Sequence, residues 1–290
     1  MRAQASYAIV IPTLNRHEFL VHVLSELSLQ SYLPRIVIVV DASQSPYQPD
    51  SRELNVIVIH SEVQSAAMQR NIGLDYLKQN YSDIQFCAFL DDDVSFEFNY
   101  FSELLELITQ SDEVIGVSGI AISTLESKIR RNKFLDFIGV TGEPGCLTKA
   151  AINVPVRNRN VTVEVDWLIG CSFWRLPLIK NHRFENDFTG PSIFEDVLFS
   201  AALKSQGKLL VKSSIILKHY LSQIGRPNRY NHYREWVHNR YRMKTIIPDK
   251  FSDTKFFLAN TAFFMRLVST LRIDGALGII AGYLTLSRKR

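Results

Sequence analysis

Neither of the glycine-rich phosphate signatures is present in this chain. No G-x-G-x-x-G and no G-x-x-x-x-G-K occurs, which disfavours dinucleotide-dependent dehydrogenases and P-loop enzymes. Cysteine is scarce. Cys87, Cys146 and Cys171 are odd in number and widely spaced, so they form neither a disulfide framework nor a metal-binding spacing. Cys87 and Cys171 fall inside apolar runs and read as small core residues of a reducing compartment. The chain opens with no charged region followed by an apolar core, and no secretory signal is expected. Long hydrophobic runs are missing too. Phe256 to Leu286 is apolar but is broken by Arg266, Arg272 and Asp274. Its longest uncharged stretch, Gly275 to Ser287, is shorter than the roughly 20 residues needed to cross a bilayer. There is no internal repeat or low-complexity tract.

The 290 residues suffice for one large domain, or for a domain with an appendage. The net charge of +4 hides an asymmetry. From Lys218 onward there are 14 Lys and Arg against 4 Asp and Glu, whereas the preceding chain has 19 against 25. A mildly acidic body with a basic tail suggests that the tail meets phosphates or a lipid surface. Arg226, Arg229, Arg234, Arg240, Arg242 and Lys244 are interleaved with Tyr230, Tyr233, Trp236 and Tyr241. No nucleic-acid motif accompanies that mixture, and nucleic acid is not an expected partner. Phe256 to Leu286 is expected to be an amphipathic helix pair lying in a membrane interface.

The first hundred residues alternate strand and helix. Tyr7 to Ile11 and Ile36 to Val40 are continuous apolar strands flanking a helical periodicity between Glu18 and Gln30. Asn55 to His60 is a third strand, Ala66 to Lys78 a helix and Asp83 to Leu90 a fourth strand. Unalternating apolar strands linked by helices predict a parallel sheet covered on both faces. A helix at Phe98 to Thr109 and a strand at Val114 to Ile122 follow. Residues 124–164 form a basic excursion containing Lys128, Arg130, Arg131 and Lys133, with Gly139, Gly142 and Gly145 clustered. Core-like sequence resumes from Asp166 to Trp174. A helix from Leu198 to Gln206, with Gly207 as C-cap, and a strand from Leu209 to Leu217 complete the body.

Polar residues terminate the strands at Thr13, Asp41, Ser61 and Asp91, so a parallel arrangement gathers them at one sheet edge. The densest group is Asp91-Asp92-Asp93. Burying three like charges is costly without a cation. Asp91 and Asp93, one residue apart, suit a hard divalent ion holding phosphate oxygens. A solvated turn is the plainer reading of the triplet alone.

Four blocks, in order, resemble the family 2 glycosyltransferases of the GT-A fold. They are Val10-Ile-Pro-Thr-Leu-Asn-Arg16; Ile38-Val-Val-Asp41-Ala-Ser43; Gln69-Arg-Asn-Ile-Gly73 with Phe89-Leu-Asp-Asp-Asp93; and Gly170 to Arg175 with Phe194-Glu-Asp196. The likeness covers roughly residues 6–220. It implies a mainly parallel nucleotide-binding sheet flanked by helices over residues 1–220, with a donor half to about 122 and an acceptor half from about 123. A basic helical extension would then occupy 221–290. It further implies a nucleotide-diphosphate sugar donor (UDP-, dTDP- or GDP-linked), a Mg²⁺ or Mn²⁺ ion and a glycan or lipid-linked acceptor. The expected location is cytoplasmic, and the basic, amphipathic composition of residues 256–290 places the chain peripherally on the inner membrane face.

By the same resemblance, Pro12, Thr13 and Arg16 border the nucleotide, and Asp41 accepts a hydrogen bond from its base. Arg70 lies near ribose or phosphate. Asp91, Asp92 and Asp93 form the ribose and metal motif, completed by His219. Asp196, with Glu195 beside it, takes the acceptor's proton, and Trp167, Gly170 and Trp174 contact the acceptor. Two positions depart from the family pattern. Ala42 stands where a second acid or Asn often follows the base-reading Asp. Ser61 to Ala67 replaces a glycine-rich start to the third-helix block.

The chemistry gives these residue types a reason. A diphosphate leaving group gains charge that a divalent ion stabilises, and a sugar hydroxyl needs a carboxylate to remove its proton. One base without an opposing carboxylate nucleophile favours single displacement with inversion. Each residue has a plainer alternative taken alone. Glu195 and Asp196 could favour a helix dipole, His219 could be structural, Arg70 a helix-surface cation, and Trp167 and Trp174 core. A nucleotidyltransferase and a non-catalytic sugar- or membrane-binding module are the alternative functions.

Overall fold

The computed structural model describes residues 5–49, 54–122, 132–157, 160–188, 192–220 and 227–286. Lys128, Arg130, Arg131 and Arg226 lie outside them. The first half alternates strictly: β1 (Tyr7–Thr13), α1 (His17–Ser28), β2 (Ile36–Asp41), β3 (Val56–His60), α2 (Ala66–Asn80) and β4 (Phe86–Phe89). There follow β5 (Val94–Phe96), α3 (Tyr100–Thr109), β6 (Val114–Ile122), α4 (Lys133–Phe137), β7 (Thr162–Val165), β8 (Phe173–Arg175), α5 (Leu176–Ile179), α6 (Glu195–Leu203) and β9 (Lys208–His219). Four helices close the described chain: α7 (Arg229–Tyr241), α8 (Met243–Ile246), α9 (Asp253–Ser269) and α10 (Ile273–Leu286).

One sheet unites the strands in the order β3-β2-β1-β4-β8-β6-β9-β5, with β7 also on β9. The first four run parallel, in register from Ala8 against Ile36 and from Tyr7 against Phe86. The short strand β8 is antiparallel to both β4 and β6, and β6 and β9 are parallel again. The apolar strands are buried on both faces, as their unalternating composition predicts. On one side Ala8, Val10, Ile36 and Ile38 pack with Leu74 and Leu77 of α2. On the other, Tyr7, Ile9, Ile11 and Val37 pack with Leu20 and Leu24 of α1 and Leu104 of α3. Each such side chain removed from water contributes about 1.5–3 kcal/mol.

Glycine sets one close approach that matters for the site. A Cβ on Gly73 would stand 2.4 Å from Cγ1 of Val10, so only glycine lets α2 lie directly on β1. That seats the preceding turn of α2 against the strand ends.

Several boundaries differ from the sequence expectation. The core-like stretch from Asp166 to Trp174 enters the sheet only at its end, in β8 (Phe173–Arg175), and a separate strand, β7, precedes it. The helix expected from Leu198 begins at Glu195 and gives way to a 3-10 turn at Lys204–Gln206. Gly207 is no left-handed cap, having extended backbone (φ 166°). It is glycine for space, because a Cβ would lie 2.6 Å from the Glu113 carbonyl oxygen. The fold class itself stands: an α/β sheet flanked by helices, followed by C-terminal helices.

Candidate active site

The carboxyl ends of β1, β4 and β9, the start of α2 and the N-terminus of α6 surround a cleft of about 490 Å³. Nearly all of its acids arrive from two directions. Asp91, Asp92 and Asp93 follow β4 and join it to β5, while Glu195 and Asp196 open α6. His219 is the last residue of β9 and is paired with Val94 across the sheet, which holds its ring beside the triplet.

The three consecutive acids have three environments. Asp93 is buried, its Oδ1 2.8 Å from His219 Nε2 and its Oδ2 3.5 Å from Arg16 Nη1. Asp92 is buried the opposite way and accepts from Thr13 Oγ1 at 2.7 Å and Arg16 Nη1 at 2.9 Å. Burial pushes its carboxyl up to about 6, against the pull of Arg16. Asp91 is half-buried and accepts from Arg70 Nη2 at 2.7 Å, and its Oδ2 stands 3.9 Å from His219 Nε2. The solvated turn is thereby excluded for Asp92 and Asp93.

Asp91, Asp93 and His219 each offer one ligand atom, and those atoms all lie within 4.8 Å of one another. Two carboxylate oxygens and an imidazole nitrogen form a donor set that suits a divalent cation. The residues fit such an ion.

Arg70 joins the two acidic groups. It is buried on α2, ion-paired to Glu195 as well as Asp91, with its guanidinium 5.7 Å from the centroid of Phe184. Burial alone would lower its pKa; Glu195 and Asp91 outweigh that and hold it firmly protonated. The helix-surface alternative for Arg70 is thus excluded. Its neighbours are equally committed. Gln69 Nε2 donates to the carbonyls of Thr13 and Val40, tying the ends of β1 and β2 together. Asn71 exchanges two hydrogen bonds with the Phe184 backbone. Ser65 caps α2 and meets Ser192, whose Oγ also accepts from the Ala67 amide at 3.1 Å. Polar contacts from the N-cap and the first two turns therefore register α2 against both walls of the cleft.

The opposite wall is strained. Ser192 (φ 54°) and Phe194 (φ 74°) adopt left-handed backbone, and neither is glycine. Such conformations cost about 1–3 kcal/mol each and persist only where the surroundings impose them. Here they aim the first turn of α6 into the cleft. Asp196 Oδ1 accepts from the Val197 amide at 2.8 Å. Burial pushes Asp196 up to about 6, near the range in which a carboxylate serves as a base at neutral pH. Burial likewise drives Glu195 upward, opposed by Arg70. Glu195 Oε2 and Arg70 Nε have no hydrogen-bond partner among the described residues.

Of the residues singled out from sequence, Pro12, Thr13, Arg16, Arg70, Asp91, Asp92, Asp93, Gly170, Glu195, Asp196 and His219 line this one cleft. Three do not. Asp41 is wholly buried, with Oδ1 taken by the Ser43 amide and Oδ2 by the Tyr47 amide and His17 Nε2. Its burial would raise its pKa, but those hydrogen bonds hold it below the usual range. Trp174 is a core side chain under Gly116, donating to Ser172 Oγ at 2.7 Å. Trp167 borders a separate cavity of about 70 Å³. Sequence reasoning missed Gln69, Ser192, Pro227 and His232 at the cleft. The last two come from α7 and the residues before it, and no local pattern marks them.

A family model described as glycosyl transferase family 2 matches residues 8–170, more than half of the chain. The chain belongs to that family. Its fold is of the GT-A kind. No curated protein matches it by sequence. Among solved structures it is similar to S. aureus TarS, with 16% identity and a TM-score of 0.50 over 90% of this chain and 43% of that one. It is also similar to GalNAc-T7 with UDP, GalNAc and Mn²⁺, with 14% identity and a TM-score of 0.55 over 82% and 48% of the respective chains. The mannosyltransferase PcManGT from Pyrobaculum calidifontis, in complex with GDP-Man and Mn²⁺, matches at 13% identity and a TM-score of 0.55, over 99% and 76%. The chain thus spans less than half the length of TarS and GalNAc-T7, and at these identities the likeness is one of fold.

Proposed function

We propose that this glycosyltransferase moves a sugar from a nucleotide-diphosphate donor to a glycan or lipid-linked acceptor, dependent on Mg²⁺ or Mn²⁺ and with inversion. The observation that carries the proposal is the convergence, in one cleft, of the Asp91, Asp93 and His219 donors with Asp196 on the facing wall. Arg16 and Arg70 supply further cationic charge beside them. The relatives crystallised with UDP or GDP-mannose and Mn²⁺ support the donor class.

In this reading, Asp91, Asp93 and His219 hold the ion. When bound, it supplies charge stabilisation for the departing diphosphate. Pro12, Thr13 and Arg16 border the nucleotide. Asp92 holds Arg16 and Thr13 in place, and Asp41 orders the loop under the base through Ser43 and Tyr47. Asp196 takes the acceptor's proton, a step that requires its carboxylate form. Arg70 keeps Glu195 and Asp91 at fixed separation, so that base and donor sites move as one unit. Gly170 faces the acceptor beside Arg70 and Asp91, where a Cβ would come within 3.3 Å of Arg70 Nη2. Residues 1–220 form the catalytic unit, with its donor half to about 122, and 221–290 the helical extension. The enzyme works in the cytoplasm, against the inner face of the membrane. No described helix is long and apolar enough to cross one.

A thermal-shift screen of UDP, GDP and dTDP with and without Mn²⁺ tests this, because a ligand selective for the native state raises its apparent stability. One diphosphate is expected to raise the midpoint only when Mn²⁺ is present. No shift with any of the three overturns the proposal.

A further inference from the structure

The helix α10 is turned inside out for a helix facing water. Its small residues are the buried ones: Gly275, Ala276, Gly278 and Gly282, with Ile279. The glycines lie hard against α7. A Cβ on Gly278 would stand 2.3 Å from the Tyr230 carbonyl oxygen, and one on Gly282 2.7 Å from Val237 Cβ. The large apolar residues Ile273, Leu277, Ile280 and Leu284 are exposed, and their spacing puts them on a single face.

The preceding helix does the same. Phe257, Met265 and Val268 of α9 are exposed and share a face at helical spacing. Phe257 lies 6.0 Å from the Tyr283 ring of α10, which joins the two faces at one end. At the other end Leu271, in the turn between the helices, is 86% exposed. Isolated exposed apolar side chains are ordinary, but a row carried by two helices and their turn marks a contact surface.

The charges say what covers it. Asp253 is paired with Lys244 at 2.7 Å and Asp274 with Arg229 at 3.0 Å. Arg266 and Arg272 flank the turn, exposed, with no ion pair among the described residues. The uncompensated charge at this surface is positive. A symmetric contact with a second copy would bring no acid to those arginines, since the partner presents the same face. An anionic lipid surface offers both an apolar layer and phosphates at its edge.

We propose that the α9–α10 hairpin docks on an anionic membrane surface. Leu271 and the two apolar rows enter the boundary between headgroups and acyl chains, and Arg266 and Arg272 meet the phosphates. The hairpin is one helix away from the catalytic cleft, because α10 packs on α7 and α7 supplies His232 to the cleft. Its use in presenting a lipid-linked acceptor rests on the function proposed above; the docking itself does not.

The test is flotation of the full chain with vesicles of phosphatidylcholine alone and of phosphatidylcholine mixed with phosphatidylglycerol. Flotation is expected only with the mixed vesicles, and is expected to weaken at high salt. L277E/I280E and R266E/R272E are each expected to lower the bound fraction about tenfold or more. All four side chains are exposed, so the thermal midpoint of both variants should match the parent. Absence of flotation on mixed vesicles overturns the proposal, as does equal flotation of parent and variants. A concentration-dependent dimer dissociated by L277E/I280E, without vesicle binding, would assign the face to a second copy instead. Vesicle binding is read without donor, so its failure is separate from failure of the nucleotide screen.

Discussion

Arg70 in the cleft and Arg240 in the C-terminal helices are both buried, and the protein treats them in opposite ways. Arg70 faces two carboxylates, Glu195 and Asp91, which outweigh burial and keep it protonated. Arg240 faces no carboxylate among the described residues. It donates from Nε to the Ala151 carbonyl at 3.1 Å, from Nη2 to that of Ala150 and from Nη1 to Asn260 Oδ1 at 2.8 Å. Its guanidinium lies 4.0 Å from the Trp236 ring centroid and 5.0 Å from that of Phe256. Burial pushes it down to about 9, which leaves it charged at neutral pH. Arg240 is a rivet holding α7, α9 and the 150–151 turn together by neutral partners. Arg70 is a coupling between two acidic groups, and its Nε and Glu195 Oε2 have no hydrogen-bond partner among the described residues. Of these two buried arginines, one is balanced by acids that line the cleft and the other by neutral groups of the helical layer.

The sharpest separation of the two regions is a pair of substitutions. Asp196→Asn keeps the shape of the α6 start but removes the base. Transfer is expected to fall on the order of 10³-fold, with the thermal midpoint nearly unchanged. Retained turnover of a confirmed donor would end the assignment of Asp196. Arg240→Met is expected to do the reverse. It strands the carbonyls of Ala150 and Ala151 and costs about 3 kcal/mol of stability. The midpoint should drop by several degrees while the folded fraction keeps its activity. An Arg240→Met enzyme that is stable but inactive would break the contrast.

A smaller effect probes the packing of the helical layer. Gly278→Ala places a methyl against the Tyr230 carbonyl, from which 2.3 Å is left. Overpacking of this sort costs about 1–3 kcal/mol, so denaturant unfolding should show a lower midpoint at unchanged slope. If Ala is neutral there, α10 does not sit on α7 as closely as described.

The same contrast explains what the sequence made legible. The unalternating strands Tyr7 to Ile11 and Ile36 to Val40 announced the two-faced sheet, and the acids at strand ends announced the cleft, because both follow from local pattern. The partners of Arg70 and Arg240 were not legible, each being an arginine on a helix, although the block around Arg70 marked it for the site. Which one meets carboxylates depends on Gly73 admitting α2 to β1, and on Ser192 and Phe194 bending α6 inward. Neither bend has a local signal, since both residues break the rule that left-handed backbone prefers glycine. Trp174 looked like a candidate for sugar stacking, yet Gly116 beneath it marks it as core. His232 reaches the cleft through α7, by a contact no spacing encodes.

The last prediction concerns pH and turns on the sign of one shift. Burial holds Asp196 up to about 6. Its carboxylate form does the proposed work, so kcat/KM should be level near pH 7 and fall about tenfold per unit below about pH 6. Stability linked to the same group runs the other way. A folded pKa above the unfolded value of 3.8 means that the native state binds the proton more tightly. The stabilisation is fully present below the unfolded value and is lost as pH rises through about 6. Asp92, raised to about 6 by its own burial, adds in the same direction. Asp41, held low by its hydrogen bonds, opposes both, since its contribution is lost as pH falls. Taking the difference between parent and Asp196→Asn removes Asp92 and Asp41 and leaves Asp196 together with the part of the Glu195 shift that the Asp196 charge causes, which has the same sign. Between about pH 7 and about pH 5 the parent should gain stability on the variant while losing rate. A rate that stays level across that window, or a stability difference of the opposite sign, would mean that Asp196 is not the base of this cleft.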